Sequence, residues 1–237
     1  MKATAKAPAN IAFIKYWGKI NESLRLPANS SISMNLSGCF TTTTVEFDEK
    51  LKQDMFVLNG KATTREESNR VFKHLDIIKR MAGIKFNAKV ESKNNFPKAS
   101  GIASSASGFA ALSMAGAVAA GLNLSQKDLS ILARRGSGSA CRSIPDGIVE
   151  WKFGKTDKTS FAQSLYPVDY WDLADLIAIV GNGSKKVSSS EGHGLAGSSP
   201  FYNARIAGMP KKIREIKSSL KDKDFTKFGQ ILEDEAI

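Results

Sequence analysis

Three short stretches of this chain carry side chains suited to holding phosphate. Residues 97–109 read PKASGIASSASGF, nearly all small or hydroxyl-bearing. Asn94 to Pro97 reads as the end of a strand, and a helix is expected from near Ser104. A helix N-terminus offers unpaired N–H groups and partial positive charge, which suit an anion. Gly101 lets a triphosphate approach the backbone, and the serines add donors or a magnesium ligand. The Gly-Lys-Ser/Thr ending of a Walker loop is missing. Close packing of small helical residues explains the stretch equally well.

A second stretch, Arg134 to Ser143 (RRGSGSACRS), follows an expected helix. Its glycines permit close backbone approach, and Arg142 supplies a planar fork for carboxylate or phosphate. Two such Gly/Ser loops suggest a nucleotide and an anionic substrate held side by side. The third stretch is APANIAFIKYWGK, residues 7–19, in which Lys15 and Lys19 bracket Tyr16, Trp17 and Gly18. A lone Lys-x-x-x-Lys would mean a strand with solvated lysines and a core tryptophan.

The elements that must position these residues are mixed. Thr41 to Phe47 is a strand by its β-branched content, and Met55 to Leu58 before Asn59-Gly60 is a strand entering a turn. Val71, Leu75 and Ile78 give Asn69 to Met81 a helical period. Ser104 to Ala120 reads as a buried helix stopped at Gly121. Ser125 caps the next helix, with Asp128 as its partner. Asp175 to Val180 (DLIAIV) reads as a buried strand from its apolar run. Helices follow, one starting near Ser199-Pro200, with Lys211 to Leu220 amphipathic and the Lys-rich face over 211–223 expected in solvent. The composition shift over residues 154–172 is the candidate domain boundary. Without regular βαβ alternation, the class is α+β.

With 237 residues, 42% of them hydrophobic, the chain can bury a sizeable core as one large domain or two small ones. Thirty-four Lys and Arg against 23 Asp and Glu leave a net charge of +11, a field that attracts anions. A nucleic-acid module would need a helix-turn-helix signature, RNP-type aromatics or zinc spacing, and none is found. No apolar run reaches membrane-span length and no signal-peptide layout is seen. Two cysteines make no disulfide framework, so a reducing, cytoplasmic setting is expected, with neither membrane nor nucleic acid as partner. Two histidines, His74 in a helix and His193 in SEGHG, do not suggest zinc. Cys141 is expected to be a buried small hydrophobe.

Together KYWGK (15–19), LPANSSIS (26–33), NNFPKASGIASSASGFAAL (94–112), ARRGSGSACRS (133–143), KKVSSSEG (185–192) and SPFYNAR (199–205) resemble the diphosphomevalonate decarboxylase family of the GHMP kinase superfamily. The small-residue loop is shared across the superfamily. KYWGK and GSGSACRS are peculiar to the decarboxylases. The resemblance implies a two-domain α+β fold: a ribosomal-protein-S5-like domain over 1–165 and part of a ferredoxin-like domain over 166–237. It also implies ATP-dependent phosphorylation of the C3 hydroxyl of diphosphomevalonate. Loss of phosphate and carbon dioxide would then give isopentenyl diphosphate. A monophosphorylated substrate, or a mevalonate-type kinase without decarboxylation, is the alternative within the superfamily.

By resemblance the substrate contacts fall on Tyr16, Trp17, Gly18, Lys19, Arg70, Ser137, Gly138, Ser139, Ala140, Cys141, Arg142 and Ser190. Arg142 and Lys15 would be catalytic, Arg142 by pairing with the mevalonyl carboxylate. ATP would lie on Asn94, Ser100, Gly101, Ala103, Ser104, Ser105, Ala106 and Ser107. Ser105 is the candidate magnesium ligand, with Lys185 or Lys186 offsetting phosphate charge. A homodimer is expected of the full-length protein. The sequence departs from the family in one respect: the family's aspartate, in an Asp-Ala-Gly-Pro context, is missing. The chain is therefore expected to be C-terminally truncated, able to bind its ligands but to turn over slowly or not at all. Asp146, in Pro-Asp-Gly, reads as a turn residue.

Overall fold

The computed structural model describes residues 1–96, 104–178 and 189–236, apart from the side chains of residues 66, 67 and 189–191. In chain order the strands are β1 (Lys2–Ile14), β2 (Lys19–Asn21), β3 (Leu26–Pro27), β4 (Ser31–Asp48), β5 (Met55–Leu58), β6 (Lys61–Ala62), β7 (Asn87–Asn94), β8 (Ile148–Trp151) and β9 (Ala162–Tyr166). The helices are α1 (Arg65–Ala82), α2 (Ser104–Ala119), α3 (Gln126–Gly136), α4 (Ser189–Leu195), α5 (Tyr202–Asp222) and α6 (Phe225–Ala236). The expected α+β class is what forms.

The spine is β4, at 18 residues the longest strand. Along one side it pairs antiparallel with β1. Its other side is shared, residues 41–48 pairing with β7 and residues 31–34 with β8. Buried Thr41, Thr43, Val45 and Phe47 alternate with half-buried neighbours, the period of a strand with one face in a core. Against that face lies α2, whose alanines and serines let its backbone approach β1 and β4 closely, with α1 and α3 covering its outer side. It ends where Gly121, at φ +77°, closes a Schellman turn, and Ser125 caps α3 by accepting from the Asp128 amide. Asn59 and Gly60, both at positive φ, make the expected hairpin turn.

The even side of β4 near its start belongs to a second core. There Phe13, Ile14, Ile32 and Ile148 meet Met209, Ile216, Leu220 and Phe228 from α5 and α6. The Lys-rich face of α5 is only partly in solvent, which corrects the expectation. Lys217 bonds the buried Glu150 carboxylate at 2.8 Å, and Lys212 bonds Glu235 at 2.9 Å. The DLIAIV strand is a second correction. Over residues 175–178 no strand forms, and Leu176 is 95% exposed. A strand exists only with a ladder partner, and no described segment pairs there; Ile179 and Val180 lie outside the described residues.

Inside the first core, His74 of α1 faces α2. Ser113 donates to the Phe109 carbonyl at 2.7 Å, so its oxygen is the acceptor for His74 Nε2–H at 2.8 Å. That leaves Nδ1 unprotonated, buried and without a partner among the described residues. Burial, reinforced by Arg25 and Arg135, pulls the imidazole down to about 3. An unfolded histidine titrates near 6.5. Between those values the unfolded chain binds the extra proton, so stability should rise with pH by at most about 1.4 kcal/mol per pH unit from this residue. Urea denaturation from pH 4 to 7 should show that slope reduced in His74→Gln; an identical slope would mean His74 is already charged in the fold.

Candidate anion and nucleotide site

The RRGSGSACRS stretch divides its arginines. Arg134, in the last turn of α3 and fully buried, bonds the Leu24 carbonyl at 3.1 Å, the Ser160 carbonyl and the Asp157 carboxylate. It is a structural tie with its charge compensated. Residues 138–143 are not an open loop as expected but a short 3-10 helix, which turns Arg142 inward. Arg142 Nε bonds Ser33 Oγ at 3.1 Å, Nη1 bonds Ser31 Oγ at 2.6 Å, and Nη2 bonds Asn10 Oδ1 at 3.2 Å. All three acceptors are neutral. Three of a guanidinium's five N–H groups are thus engaged, and none meets a carboxylate. Burial pulls Arg142 below the ordinary guanidinium value, with only Cys141 and Tyr16 acting the other way. A buried cation without a counter-charge is costly. Such an arrangement is suited to an anion supplied from outside.

Tyr16 lies beside this arginine, its ring 5.8 Å from the guanidinium carbon. It meets Trp151 edge-on at 4.6 Å and stacks on His193 at 4.2 Å. Gly138 is needed where it stands, since a Cβ there would overlap the Tyr16 hydroxyl. Burial pushes that hydroxyl up to about 12, so it remains a donor at any physiological pH. Gly18, at φ +83°, is packed so closely on Tyr202 that a side chain would strike its hydroxyl. The loop is held from below by Glu235 of α6, which accepts from the Lys15 amide, Arg205 and Lys212. Lys15 Nζ donates to the Ala12 carbonyl at 3.1 Å, and burial lowers its pKa although Glu235 pulls the other way. Lys19 is paired with Glu22 at 2.6 Å rather than free. Cys141 is a buried hydrophobe as expected, its thiol pushed up to about 12 by burial. Asp146 is exposed in its turn before Gly147 at φ +81°.

Next to this arrangement opens a cavity of about 240 Å³. Its polar lining is Thr41, Arg70, Ser92, Asn94, Ser104 and Ser105, and its apolar lining includes Phe56, Leu58, Val90 and Phe109. Thr41 donates to Asn94 Oδ1 at 2.8 Å and shares a 2.7 Å bond with Ser107, fixing the end of β7 against the first turn of α2. Arg70 bonds the Gly136 carbonyl at 3.3 Å and lies over the Phe109 ring. Ala106 is a core residue with no exposed surface. Ser137 bonds Ser105 at 3.4 Å, so the two small-residue stretches touch.

Ser100, Gly101, Ala103, Lys185 and Lys186 lie outside the described residues, and Ser190 is described only as backbone in α4. Ser139 enters through its carbonyl, which accepts from Asn10 at 3.2 Å, and Ala140 is buried. Residue-by-residue reading missed Asn10, Ser31, Ser33 and His193. The first three do lie inside the quoted motifs, where an Asn on a strand and serines two apart on one face were the available signal.

Comparison with known proteins bears on this arrangement. Residues 7–162 match the family described as diphosphomevalonate decarboxylase-like N-terminal domain, and residues 175–237 match the mevalonate 5-diphosphate decarboxylase C-terminal domain. The chain belongs to the diphosphomevalonate decarboxylase family.

Diphosphomevalonate decarboxylase of Ganoderma lucidum is 37% identical over 249 residues, covering 97% of this chain and 62% of the relative. The Homo sapiens enzyme is 37% identical over 253 residues, covering 96% and 61%. The chain thus spans about three fifths of these relatives' length. Among solved structures, mevalonate diphosphate decarboxylase from Staphylococcus aureus superposes with a TM-score of 0.90 at 41% identity, over 99% of this chain and 72% of that one. MDDEF in complex with MVAPP, AMPPCP and magnesium gives 0.91 at 42% identity, with the same coverage. In this decarboxylase-family chain the Arg142 network can be tested apart from any ligand. Asn10→Ala removes one acceptor from Arg142 and the donor to Ser143 and the Ser139 carbonyl. Leaving buried groups unpaired should cost roughly 1–3 kcal/mol in denaturant unfolding. No loss would mean the guanidinium is solvated.

Proposed function

We propose that this chain binds ATP and mevalonate diphosphate side by side, for ATP-dependent decarboxylation to isopentenyl diphosphate. The contact that carries the reading is Ser137 Oγ on Ser105 Oγ at 3.4 Å, which brings the lining of the nucleotide cavity against the turn that holds Arg142. Two anions placed there would have their reacting groups close, the main requirement of phosphoryl transfer. The related structure binding MVAPP and AMPPCP supports the pairing. On this reading residues 1–165 form the nucleotide and substrate domain and 166–237 belong to the second.

The roles follow from what each group can do. Arg142, rigid and without a counter-charge among the described residues, takes the substrate carboxylate. Tyr16, a permanent donor, and the serines around 137–139 take the diphosphate, with Lys19 available once it leaves Glu22. Asn94, Ser104, Ser105 and Ser107 frame the nucleotide. In the second step the electrons of the carboxylate–carbon bond form the alkene as phosphate departs from C3, so negative charge moves from the carboxylate to the phosphate. A cation at the phosphate end then lowers the barrier, and Lys15 is assigned there. Magnesium fits only through the nucleotide. Among the described residues no cluster of three His, Cys, Asp or Glu could hold it, and Ser105 offers one hydroxyl beside the phosphates. Bound there, it would offset the charge of the transferring phosphoryl group.

Calorimetry separates the two halves. Ser105→Phe should abolish nucleotide binding by filling the cavity mouth, and unaltered affinity would remove the cavity from the site. Arg142→Lys keeps the charge but loses the fork, so mevalonate diphosphate should bind weaker by about 1.5–3 kcal/mol while ATP affinity holds. A melting curve run in parallel reads the structural part of the loss. Release of ADP and carbon dioxide from mevalonate diphosphate tests the reaction itself; ADP release without carbon dioxide would reduce the activity to a kinase.

A further inference from the structure

His193 reaches the anion site from α4, far along the chain from the other members. Its ring lies nearly parallel on Tyr16, 4.2 Å away and tilted 23°, and 5.1 Å from the Trp17 ring. Gly192 eases this packing, for a Cβ there would stand a tight 3.3 Å from the Trp17 ring. Nδ1 of His193 is buried without a hydrogen-bond partner among the described residues. Unlike Nδ1 of His74 in its apolar core, this nitrogen lies beside cations where a water or a ligand atom can partner it.

The charges around it are mostly of one sign. Lys19 of β2, Arg142 of the 3-10 turn and Arg25 of the β2–β3 connection all disfavour a proton on the ring, and among the described residues only Glu22 favours one. Burial acts first and in the same direction as the cations, holding the group down at about 4. Among the described residues the site therefore presents a neutral histidine amid three cations and one carboxylate, which is bound to Lys19. An anion entering this field reverses its sign locally. It would attract a proton to the imidazole and gain a charged donor in return.

We propose that His193 is a proton-coupled member of the anion site: it closes over Tyr16 and, on taking a proton from solvent, donates a charge-assisted hydrogen bond to a phosphate-type oxygen of the bound substrate. This rests on the reading that the substrate's anionic end sits between the KYWGK loop and the 137–142 turn. The consequence is specific to the residue. Anion affinity should rise as pH falls. Until an anion binds, the ring stays uncharged and does not add a fourth cation to a crowded cluster.

Inorganic sulfate is a suitable probe, because its charge is constant across the range and any pH dependence belongs to the protein. The chain has only two histidines, so the imidazole proton resonances are assigned by a single His193→Gln variant. In the unaltered chain, sulfate should raise the His193 titration midpoint from about 4 by about two and a half pH units, which by linkage makes sulfate affinity about tenfold higher at pH 5.5 than at pH 8. His193→Gln should lose that tenfold and bind equally at both. If sulfate shifts the Tyr16 ring resonances but leaves the His193 midpoint in place, the anion site stands and the proposal falls. It falls as well if His193→Gln weakens binding by the same factor at both pH values, since that is a packing effect. If sulfate moves neither ring, the anion-site reading falls with it. The midpoint measurement uses the unaltered chain and does not depend on the variant folding.

Discussion

A guanidinium buried among neutral acceptors is the constraint on which the rest of this structure turns. Arg142 is 3% exposed, and among the described residues no carboxylate faces it. Such a group persists only if its N–H donors are matched and the surroundings hold it rigidly. Asn10 on β1 and Ser31 and Ser33 on β4 do the matching. They can do so because β1 and β4 pair across Asn10 and Asn35, and because residues two apart on a strand share a face. The intervening Ile32 then points to the other face and anchors α5 and α6. One strand segment thus fixes the site on one face and the second core on the other.

The same logic explains the two buried arginines of one motif. Arg134 and Arg142 stand eight residues apart in a stretch that reads as uniformly basic and small. Arg134 meets Asp157 and three carbonyls, so its charge is spent within the fold. Among the described residues Arg142 leaves two N–H groups unbonded and its charge without a partner. Lys15 and Lys19 split in a similar way, one bonded to a carbonyl and desolvated, the other salt-bridged to Glu22.

Local signals were legible where the chain alone decides the outcome. The Asn59-Gly60 turn, the Ser125 cap, the alanine-rich α2 with its Gly121 stop, and the period of α1 all form as their residue types require. Family motifs located the site, and they contained Asn10, Ser31 and Ser33 without revealing their task. That task depends on which strand faces which turn, a relation of long sequence separation: Arg142 and Asn10 are 132 residues apart. His193 was illegible for the same reason, since nothing in SEGHG indicates a stack on Tyr16. DLIAIV failed differently. Its apolar run has the composition of a strand, but strand formation is a property of a pair of segments, and over residues 175–178 no described neighbour provides the ladder.

The aromatic cluster around Tyr16 has an optical consequence. Two of the chain's three tryptophans border the site, Trp151 edge-on to Tyr16 and Trp17 tilted against His193. Trp151 is fully buried with its indole N–H on Ser160, while Trp17 is 39% exposed. The pair should emit at different wavelengths, a blue-shifted band from the dry indole and a redder one from the wet one. The third, Trp171, sits on Phe225 and Phe228 at the other core and supplies an internal reference. The site carries its own fluorophores, and occupancy can be followed in real time without a label.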